Sequence, residues 1–190
     1  PKENGQTITY NVPKKQLLTH GGIPVFGLYA DYRNEVKVSY VRDFNGKKET
    51  INESYFIYCS PVSWINQGTN YESPEDFTAI VKKVDPAFSD RLYLISNIGD
   101  ETGLNNRAVW NNPMGGALTW NFVPQIAVFD TKGEIRWYLD PRTIWDPESI
   151  YSAGVMMGFR QNDDGALTWG FGQKYVKYDI MGREIWNRRL

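Results

Sequence analysis

Several residue types are scarce in this chain, and each scarcity excludes a class of protein. The 190 residues contain one cysteine, Cys59, and one histidine, His20. A single cysteine cannot close an internal disulfide, and a single histidine cannot build a histidine metal cluster. The sequence therefore predicts neither a disulfide scaffold nor a zinc finger, and it indicates no metal and no cofactor.

Concentrated charge and long apolar runs are also lacking. Lysine plus arginine total 21, aspartate plus glutamate total 22, and no basic block interrupts the sequence. Proteins that bind a phosphate backbone usually carry such a block. No stretch approaches the roughly 20 apolar residues that span a bilayer, and residues 1–4 have no signal-peptide pattern. We expect no nucleic-acid partner and no membrane span, in a chain that is cytosolic or has lost its leader.

Aromatic residues, in contrast, are abundant. The chain has 7 tryptophans, 12 tyrosines and 9 phenylalanines, which together make up 15% of its residues. It also has 17 glycines and 10 prolines, the residues that break regular structure and form turns. Because aromatic side chains favour strands, this composition predicts an all-β protein with many turns.

Short strands are predicted in the first half of the chain. Apolar residues alternate with polar ones in residues 7–12 and 34–42, and residues 24–29 form a further strand-like segment. Asn45-Gly46 follows the second of these, and this pair is typical of a tight hairpin turn from which residues 51–59 return. Several strands within 60 residues predict a small sandwich.

One helix and one domain boundary are predicted after these strands. Ser73-Pro74-Glu75-Asp76 combines a capping serine, a proline at the first helical position and an acidic first turn. The helix should end near Lys83. A strand at residues 91–96 then opens a second unit, so we place the boundary near residue 90.

The second half contains an internal repeat with an offset of 49 residues. Residues 116–120 and 165–169 both read Gly-Ala-Leu-Thr-Trp. A period of about 40 to 50 residues with strand-like text and a glycine turn is typical of β-propeller blades. Four further identities occur at the same offset: Phe122 with Phe171, Asp130 with Asp179, Gly133 with Gly182, and Trp137 with Trp186.

The repeated spacing Asp-x-x-Gly-x-x-x-Trp has a mechanical interpretation. Aspartate opens a turn by bonding its own backbone, glycine adopts the left-handed conformation, and tryptophan begins the return strand and packs between units. Residues 91–190 hold about two such units, whereas a closed propeller has typically four to eight. We therefore expect Leu190 to be a boundary that cuts the array short.

Few residues are candidates for chemistry on pattern alone. His20 lies in a Thr-His-Gly-Gly stretch, where a solvated turn histidine is favoured over a base or nucleophile. Cys59 follows a strand of large residues and is interpreted as a small buried hydrophobe without chemistry. A carboxylate pair for glycoside hydrolysis is disfavoured because its candidates lie in predicted surface turns: Asp146, Glu148, Asp163 and Asp164.

Five segments, taken in order, resemble the amino-terminal part of the bacterial arylsulfate sulfotransferases. In that family a small immunoglobulin-like sandwich precedes a six-bladed propeller, which agrees with the predicted two-part architecture. The resemblance covers residues 20–190. The segments that carry it are residues 22–29 (GIPVFGLY), 90–94 (DRLYL), 133–140 (GEIRWYLD), 157–160 (MGFR) and 179–182 (DIMG).

The resemblance implies an enzyme that moves a sulfuryl group from an aryl sulfate to a phenol through a covalent sulfohistidine, without a nucleotide donor. An imidazole attacks sulfur and later leaves, while other cationic groups stabilise the sulfate oxygens. No position of this chain matches the catalytic histidines, and that role does not transfer to His20. We therefore expect no catalytic residue here and no activity from these 190 residues alone.

Two residues match the family's aromatic funnel around the phenolic substrate. They are Tyr55, from the sandwich, and Trp120, in the first propeller unit, and the resemblance makes both substrate-binding candidates, although core packing remains the alternative for each. A third funnel position, tyrosine in the family, is Val155 here. Valine offers neither a ring to stack nor a hydroxyl to donate, so the acceptor preference of this chain can differ.

The resulting expectation is an all-β chain with an immunoglobulin-like sandwich at residues 1–90 and the opening propeller blades at residues 91–190. By resemblance, its location is periplasmic or otherwise outside the cytoplasmic membrane. An open sheet edge predicts a homodimer or association with the remainder of a propeller. A non-enzymatic propeller scaffold is the alternative function, because such scaffolds share the same turn, and a carbohydrate-active propeller is a third.

Overall fold

The computed structural model describes residues 2–65, 71–72, 79–99, 123–144, 157–171 and 173–189. Strands dominate these residues, which confirms the predicted all-β class. The elements, in chain order, are α1 (Lys14–His20), β1 (Tyr32–Phe44), β2 (Lys47–Cys59), β3 (Trp64–Ile65), β4 (Tyr71–Glu72), a 3-10 helix (Pro86–Phe88), β5 (Tyr93–Gly99), β6 (Val123–Phe129), β7 (Ile135–Tyr138), a second 3-10 helix (Pro141–Ile144), β8 (Met157–Gln161), β9 (Leu167–Phe171), β10 (Lys174–Tyr178) and β11 (Glu184–Arg189).

The first unit is organised around a long antiparallel hairpin. β1 and β2 pair without interruption from Tyr32 opposite Cys59 to Phe44 opposite Lys47. Asn45 and Gly46 form the turn with φ angles of 51° and 78°, the left-handed conformations that a two-residue hairpin requires. The hairpin predicted from this Asn-Gly pair is therefore confirmed, and it is longer than predicted on both strands.

Residues 7–12 and 24–29 form no ladder in the described structure, so their prediction as strands is wrong. Side chains replace the missing backbone pairing. The Tyr10 hydroxyl accepts from the Phe26 amide at 2.8 Å and donates to the Pro24 carbonyl at 2.9 Å. Buried Asn34 accepts from the Tyr29 amide and donates to the Tyr29 carbonyl, both at 2.9 Å. The alternation seen in the sequence reflects half-burial of an extended segment.

The only α-helix of the described residues lies where none was predicted. α1 starts after Pro13 and ends at Gly21, whose φ is 63°. These are ordinary start and stop residues, but no residue of α1 is buried, so no apolar face marks it. Residues 79–85 are not helical, and the helix predicted to reach Lys83 is therefore wrong for this part. Its predicted start at Ser73 lies outside the described residues.

Two antiparallel sheets form the second unit. One has the order β5-β6-β7 and the other the order β11-β10-β9-β8. In both sheets, strands that pair with each other are also consecutive in the sequence. The two sheets share a core that contains Ile126 from the first sheet, Leu139 directly after β7, and Leu167, Trp169 and Val176 from the second sheet. Trp137 packs against the same core, as expected for a tryptophan between units, whereas its repeat counterpart Trp186 is exposed.

The internal repeat is visible in the backbone. The Asp130 amide donates to the Glu134 carbonyl at 3.0 Å, and 49 residues later the Asp179 amide donates to the Arg183 carbonyl at 3.0 Å. In both turns the aspartate carboxylate accepts two backbone amides of its own turn. The glycines, Gly133 and Gly182, have φ angles of 85° and 86°, so the roles predicted for the aspartate and the glycine of each turn are confirmed.

Each turn is followed by a β-bulge, and the two bulges are of the same kind. Register shifts between Val128 and Phe129 in the first sheet, and between Lys177 and Tyr178 in the second. The residue left without a partner is Arg136 in one case and Ile185 in the other. A bulge changes the direction of the side chain of its extra residue. Arg136 and Ile185 therefore occupy equivalent positions in the two copies of the repeat.

The glycines of the two turns have different surroundings. A Cβ added to Gly133 would overlap the Ala79 carbonyl oxygen, whereas one added to Gly182 would meet nothing within 4 Å among the described residues. The first turn is therefore covered by a neighbouring segment, and the second has no such cover from the described residues.

Candidate functional site

Tyr55, the candidate substrate contact of the first unit, lies on the middle of β2. Its side chain is 50% exposed. The register places it opposite Val36, with Glu53 opposite Val38 and Ile51 opposite Tyr40. Since side chains alternate between the two faces of a hairpin, these six residues lie on one face: Val36, Val38, Tyr40, Ile51, Glu53 and Tyr55. We call this set the hairpin face.

The Glu53 carboxylate contacts both tyrosine hydroxyls of the hairpin face. The Tyr55 hydroxyl donates a short hydrogen bond to Glu53 Oε2, and the Tyr40 hydroxyl lies 3.5 Å from Glu53 Oε1. The bond to Glu53 raises the pKa of Tyr55, and partial burial raises it further. Tyr55 therefore stays a neutral phenol with an exposed ring and an anchored hydroxyl, which suits contact with an aromatic ligand.

A groove of about 700 Å³ runs beside this face, between β1 and residues 5–12. Val36, Val38 and Tyr40 line one wall, and Ile8 and Tyr10 line the other. Polar and charged side chains line the groove as well, and sites that take small organic molecules usually combine apolar walls with a few polar groups. Three of the six hairpin-face residues therefore border a space large enough for an aryl group, and Tyr55 lies on the same face.

The second candidate, Trp120, lies outside the described residues, as does Val155. Its repeat counterpart Trp169 is 1% exposed and stacks on Tyr178 with ring centroids 4.9 Å apart. Burial raises the pKa of Tyr178 to about 12, and its hydrogen bond to Glu184 contributes. At this repeat position one tryptophan is therefore a core residue, and the role of Trp120 stays a prediction.

His20 is not the solvated turn histidine that the sequence predicted. It is the last residue of α1, its side chain is 14% exposed, and its Nε2 lies 3.0 Å from Gln16 Oε1 and 3.6 Å from Asp179 Oδ2. The ring thus docks α1 onto the second repeat turn. That His20 is not a nucleophile stays a prediction.

A set of buried polar contacts joins residues 6–29 to the turn and bulge that follow β6. Arg136 Nη1 lies 2.9 Å from Asp130 Oδ2, and the two side chains are 4% and 0% exposed. The guanidinium also donates to the Gly27 carbonyl at 2.6 and 2.8 Å and to the Gln6 carbonyl at 3.0 Å. Its centre lies 3.7 Å from the centroid of the Tyr29 ring. We call these five residues the junction clamp.

Further polar contacts support the junction clamp. The Tyr29 hydroxyl accepts from the Gln6 amide at 2.6 Å and lies 3.2 Å from Asp130 Oδ2. Burial raises the pKa of Tyr29, so the hydroxyl remains a donor to the carboxylate. Lys2 Nζ forms an ion pair with Glu134 at 2.5 Å. Sequence reasoning missed the clamp, because only the bulge after the Asp130 turn turns Arg136 inward.

Cys59 lines a small cavity beside the clamp. The cavity has a volume of about 270 Å³ and mainly apolar walls, among them Val25, Phe26, Val62, Trp137 and Ile180. Burial raises the pKa of the thiol, and a neutral thiol is a poor nucleophile. This agrees with the prediction that Cys59 carries no chemistry.

Two negative findings apply to the described part of the chain. No group of three or more His, Cys, Asp or Glu side chains is placed to hold a metal ion. No described helix has the length and apolarity needed to cross a membrane.

Comparison with known proteins defines the class. The family model for arylsulfotransferase (ASST) matches residues 78–190, and the model for the arylsulfotransferase Ig-like domain matches residues 1–60. The chain therefore belongs to the arylsulfotransferase family, and its first residues correspond to the Ig-like domain of that family.

Particular relatives are two arylsulfate sulfotransferases named AssT. The protein of Lelliottia amnigena is 35% identical over 202 residues, and that of Escherichia coli O6:H1 is 32% identical over 203 residues. Each alignment includes 99% of this chain and 33% of the relative. The chain thus spans about a third of the length of the curated relatives it matches.

Proposed function

We propose that this chain supplies the amino-terminal part of a nucleotide-independent aryl sulfotransferase, which moves a sulfuryl group from an aryl sulfate to a phenol. The observation that carries this proposal is the family match over residues 78–190, together with relatives named arylsulfate sulfotransferase that align with 99% of the chain. Half-exposed Tyr55 shares a hairpin face with Val36, Val38 and Tyr40, which line the groove, and an exposed ring in this place is consistent with an aryl substrate.

The proposed chemistry proceeds through a sulfohistidine. An imidazole nitrogen attacks sulfur and the donor phenolate leaves; the acceptor phenol oxygen then attacks the same sulfur, loses its proton and releases the imidazole. The chain has one histidine, His20, which is occupied in docking α1 against Asp179. We accordingly expect these 190 residues to lack turnover by themselves.

The proposed architecture assigns roles to the two units. The sheets β5-β6-β7 and β8 to β11 are the opening blades of a propeller, consistent with their antiparallel order and repeated turns. Residues 1–90 form the sandwich unit and residues 91–190 the blade unit. Tyr55 and Trp120 contact the aryl ring of the substrate. The catalytic histidines are supplied by other parts of the protein.

The test compares two proteins with the same substrates. The complete gene product is incubated with 4-nitrophenyl sulfate and phenol, and release of 4-nitrophenolate is followed by absorbance. We expect turnover from the complete product, none from the 190-residue chain, unchanged turnover in His20→Asn, and a sulfuryl adduct on a histidine other than His20 by peptide mass spectrometry. Absence of turnover in the complete product would favour the propeller scaffold.

Location and assembly are further parts of the proposal. We expect the protein in the periplasm or outside the cytoplasmic membrane, which cell fractionation with an antibody tests directly. We also expect a homodimer or an association with further propeller blades, because β11 is an edge strand whose six residues are all exposed. Light scattering of the 190-residue chain and of the complete gene product measures the mass of each.

A further inference from the structure

Glu53 has an unusual position on the hairpin face. Its cross-strand partner is Val38, and the neighbouring pairs on the same face are Val36 with Tyr55 and Tyr40 with Ile51. Glu53 is thus the one carboxylate among six otherwise apolar or aromatic side chains. A charged group among apolar neighbours is costly unless it has hydrogen-bond partners. Glu53 has two such partners on its own face, Tyr55 and Tyr40.

Both tyrosine hydroxyls of the hairpin face turn toward this carboxylate. Tyr55 follows Glu53 by two positions on β2, and Tyr40 lies diagonally across the hairpin on β1. Each carboxylate oxygen faces one hydroxyl. A side chain that is half exposed would otherwise sample several ring orientations. Fixing the hydroxyl removes this freedom before a ligand arrives, which lowers the entropic cost of binding.

Other tyrosines in the described residues also bond to carboxylates, and they differ from this arrangement in one respect. The Tyr58 hydroxyl donates to Asp31 at 2.7 Å and the Tyr178 hydroxyl donates to Glu184 at 3.0 Å. In these two pairs each carboxylate receives one tyrosine hydroxyl, whereas Glu53 faces two. Tyr58 lies on the opposite face of the same hairpin, so Asp31 provides a matched control.

We propose that Glu53 is a positioning residue that orients the Tyr55 ring for the aryl group of the substrate. The inference rests on the proposed function, since the aryl ligand comes from there. Because the Tyr55 hydroxyl donates to Glu53, its oxygen keeps lone pairs that accept a hydrogen bond from a phenolic substrate. Glu53 acts through Tyr55 and touches no reacting atom.

The experiment uses the complete gene product and measures kcat, KM and the Kd for 4-nitrophenyl sulfate by calorimetry. Glu53→Ala should raise KM and Kd roughly three- to tenfold with kcat unchanged, the value of one lost hydrogen bond. Glu53→Gln keeps an acceptor oxygen and should stay within about twofold of the parent. Asp31→Asn should change none of the three constants.

A second readout separates orientation from folding. Since the bond to Glu53 raises the pKa of Tyr55, Glu53→Ala should make one tyrosine titrate at lower pH in ultraviolet absorbance. This change should disappear in a Tyr55→Phe background. In that background Glu53→Ala should also add nothing to KM, because the hydroxyl through which it acts is gone.

Each outcome has one meaning. The inference is overturned if Glu53→Ala raises KM equally with and without the Tyr55 hydroxyl, if Glu53→Gln is as damaging as Glu53→Ala, or if Asp31→Asn reproduces the effect. If the parent binds 4-nitrophenyl sulfate without turnover, the proposed function fails, and the Kd series still decides the role of Glu53. If the parent binds no aryl sulfate, both fail.

Discussion

Replacing Arg136 with methionine should destabilise the protein far more than the same change at Arg183. Methionine keeps the apolar stem of arginine and removes the guanidinium. At position 136 this deletes four hydrogen bonds, made to Asp130, to the Gly27 carbonyl and to the Gln6 carbonyl. It also leaves the Asp130 carboxylate, which is 0% exposed, without its ion-pair partner.

The magnitude follows from burial. Breaking a buried ion pair by removing one partner costs about 3–5 kcal/mol, mostly because the remaining charge stays desolvated. Asp130 retains its two turn amides and the Tyr29 hydroxyl, so we expect the lower half of that range. For a chain of this size such a loss lowers the melting temperature by roughly 6–15 °C.

The repeat supplies the control. Arg183 pairs with Asp179, the counterpart of Asp130, at 3.1 Å, but its side chain is 48% exposed. Exposed pairs of this kind contribute about 0–1 kcal/mol. Arg183→Met should therefore change the free energy of unfolding by less than about 1 kcal/mol.

Urea unfolding followed by tryptophan fluorescence measures both variants, because the chain has 7 tryptophans. Asp130→Ala and the double variant Arg136→Met with Asp130→Ala complete the cycle. The double variant should lose at least about 1 kcal/mol less than the sum of the single variants. Equal losses for Arg136→Met and Arg183→Met, or an additive cycle, would refute the reasoning.

Three further predictions concern the repeat and the hairpin. Gly182→Ala should cost about 1–2 kcal/mol, the strain of a left-handed alanine, and Gly133→Ala should cost at least about 1 kcal/mol more because its Cβ meets a backbone oxygen; equal losses in urea unfolding would contradict the packing of the first turn. Tyr178 has a folded pKa of about 12 against about 10 unfolded, so its contribution to stability is complete below pH about 10 and is lost as the pH rises toward 12; the alkaline slope of unfolding should flatten in Tyr178→Phe, and an unchanged slope counts against it. Asn34→Ala should cost about 2–3 kcal/mol, because it leaves buried backbone groups without partners, whereas exposed Asn52→Ala should stay within about 0.5 kcal/mol.

The sequence predicted those parts of the fold that depend on local chemistry. Asn45-Gly46 determines the hairpin turn because few other residues adopt two left-handed conformations in succession. The Asp-x-x-Gly spacing predicted both repeat turns, since aspartate bonds its own turn wherever the spacing occurs. Tyr55 was predicted as a substrate contact from the family resemblance, and the β1–β2 register identifies the residues that lie beside it.

Features that depend on distant contacts could not be predicted. Residues 7–12 alternate like a strand, but they bond through side chains such as Tyr10 and form no ladder. α1 has no buried residue and so gives no helical periodicity. Arg136 reads as an ordinary surface arginine, because nothing near it in sequence shows that Gly27 and Gln6 will offer it their carbonyls.

The division of the junction clamp between the units has a practical consequence for anyone who dissects this protein. A piece that begins after residue 30 would carry Arg136 and Asp130 without the carbonyl oxygens of Gln6 and Gly27, and both charged side chains would become exposed to water. We expect a separate peptide covering residues 2–30 to bind at these side chains and to restore the protease resistance of the larger piece. Residues 2–30 would then act as a ligand of the sheets, and the two pieces would form a complementation pair.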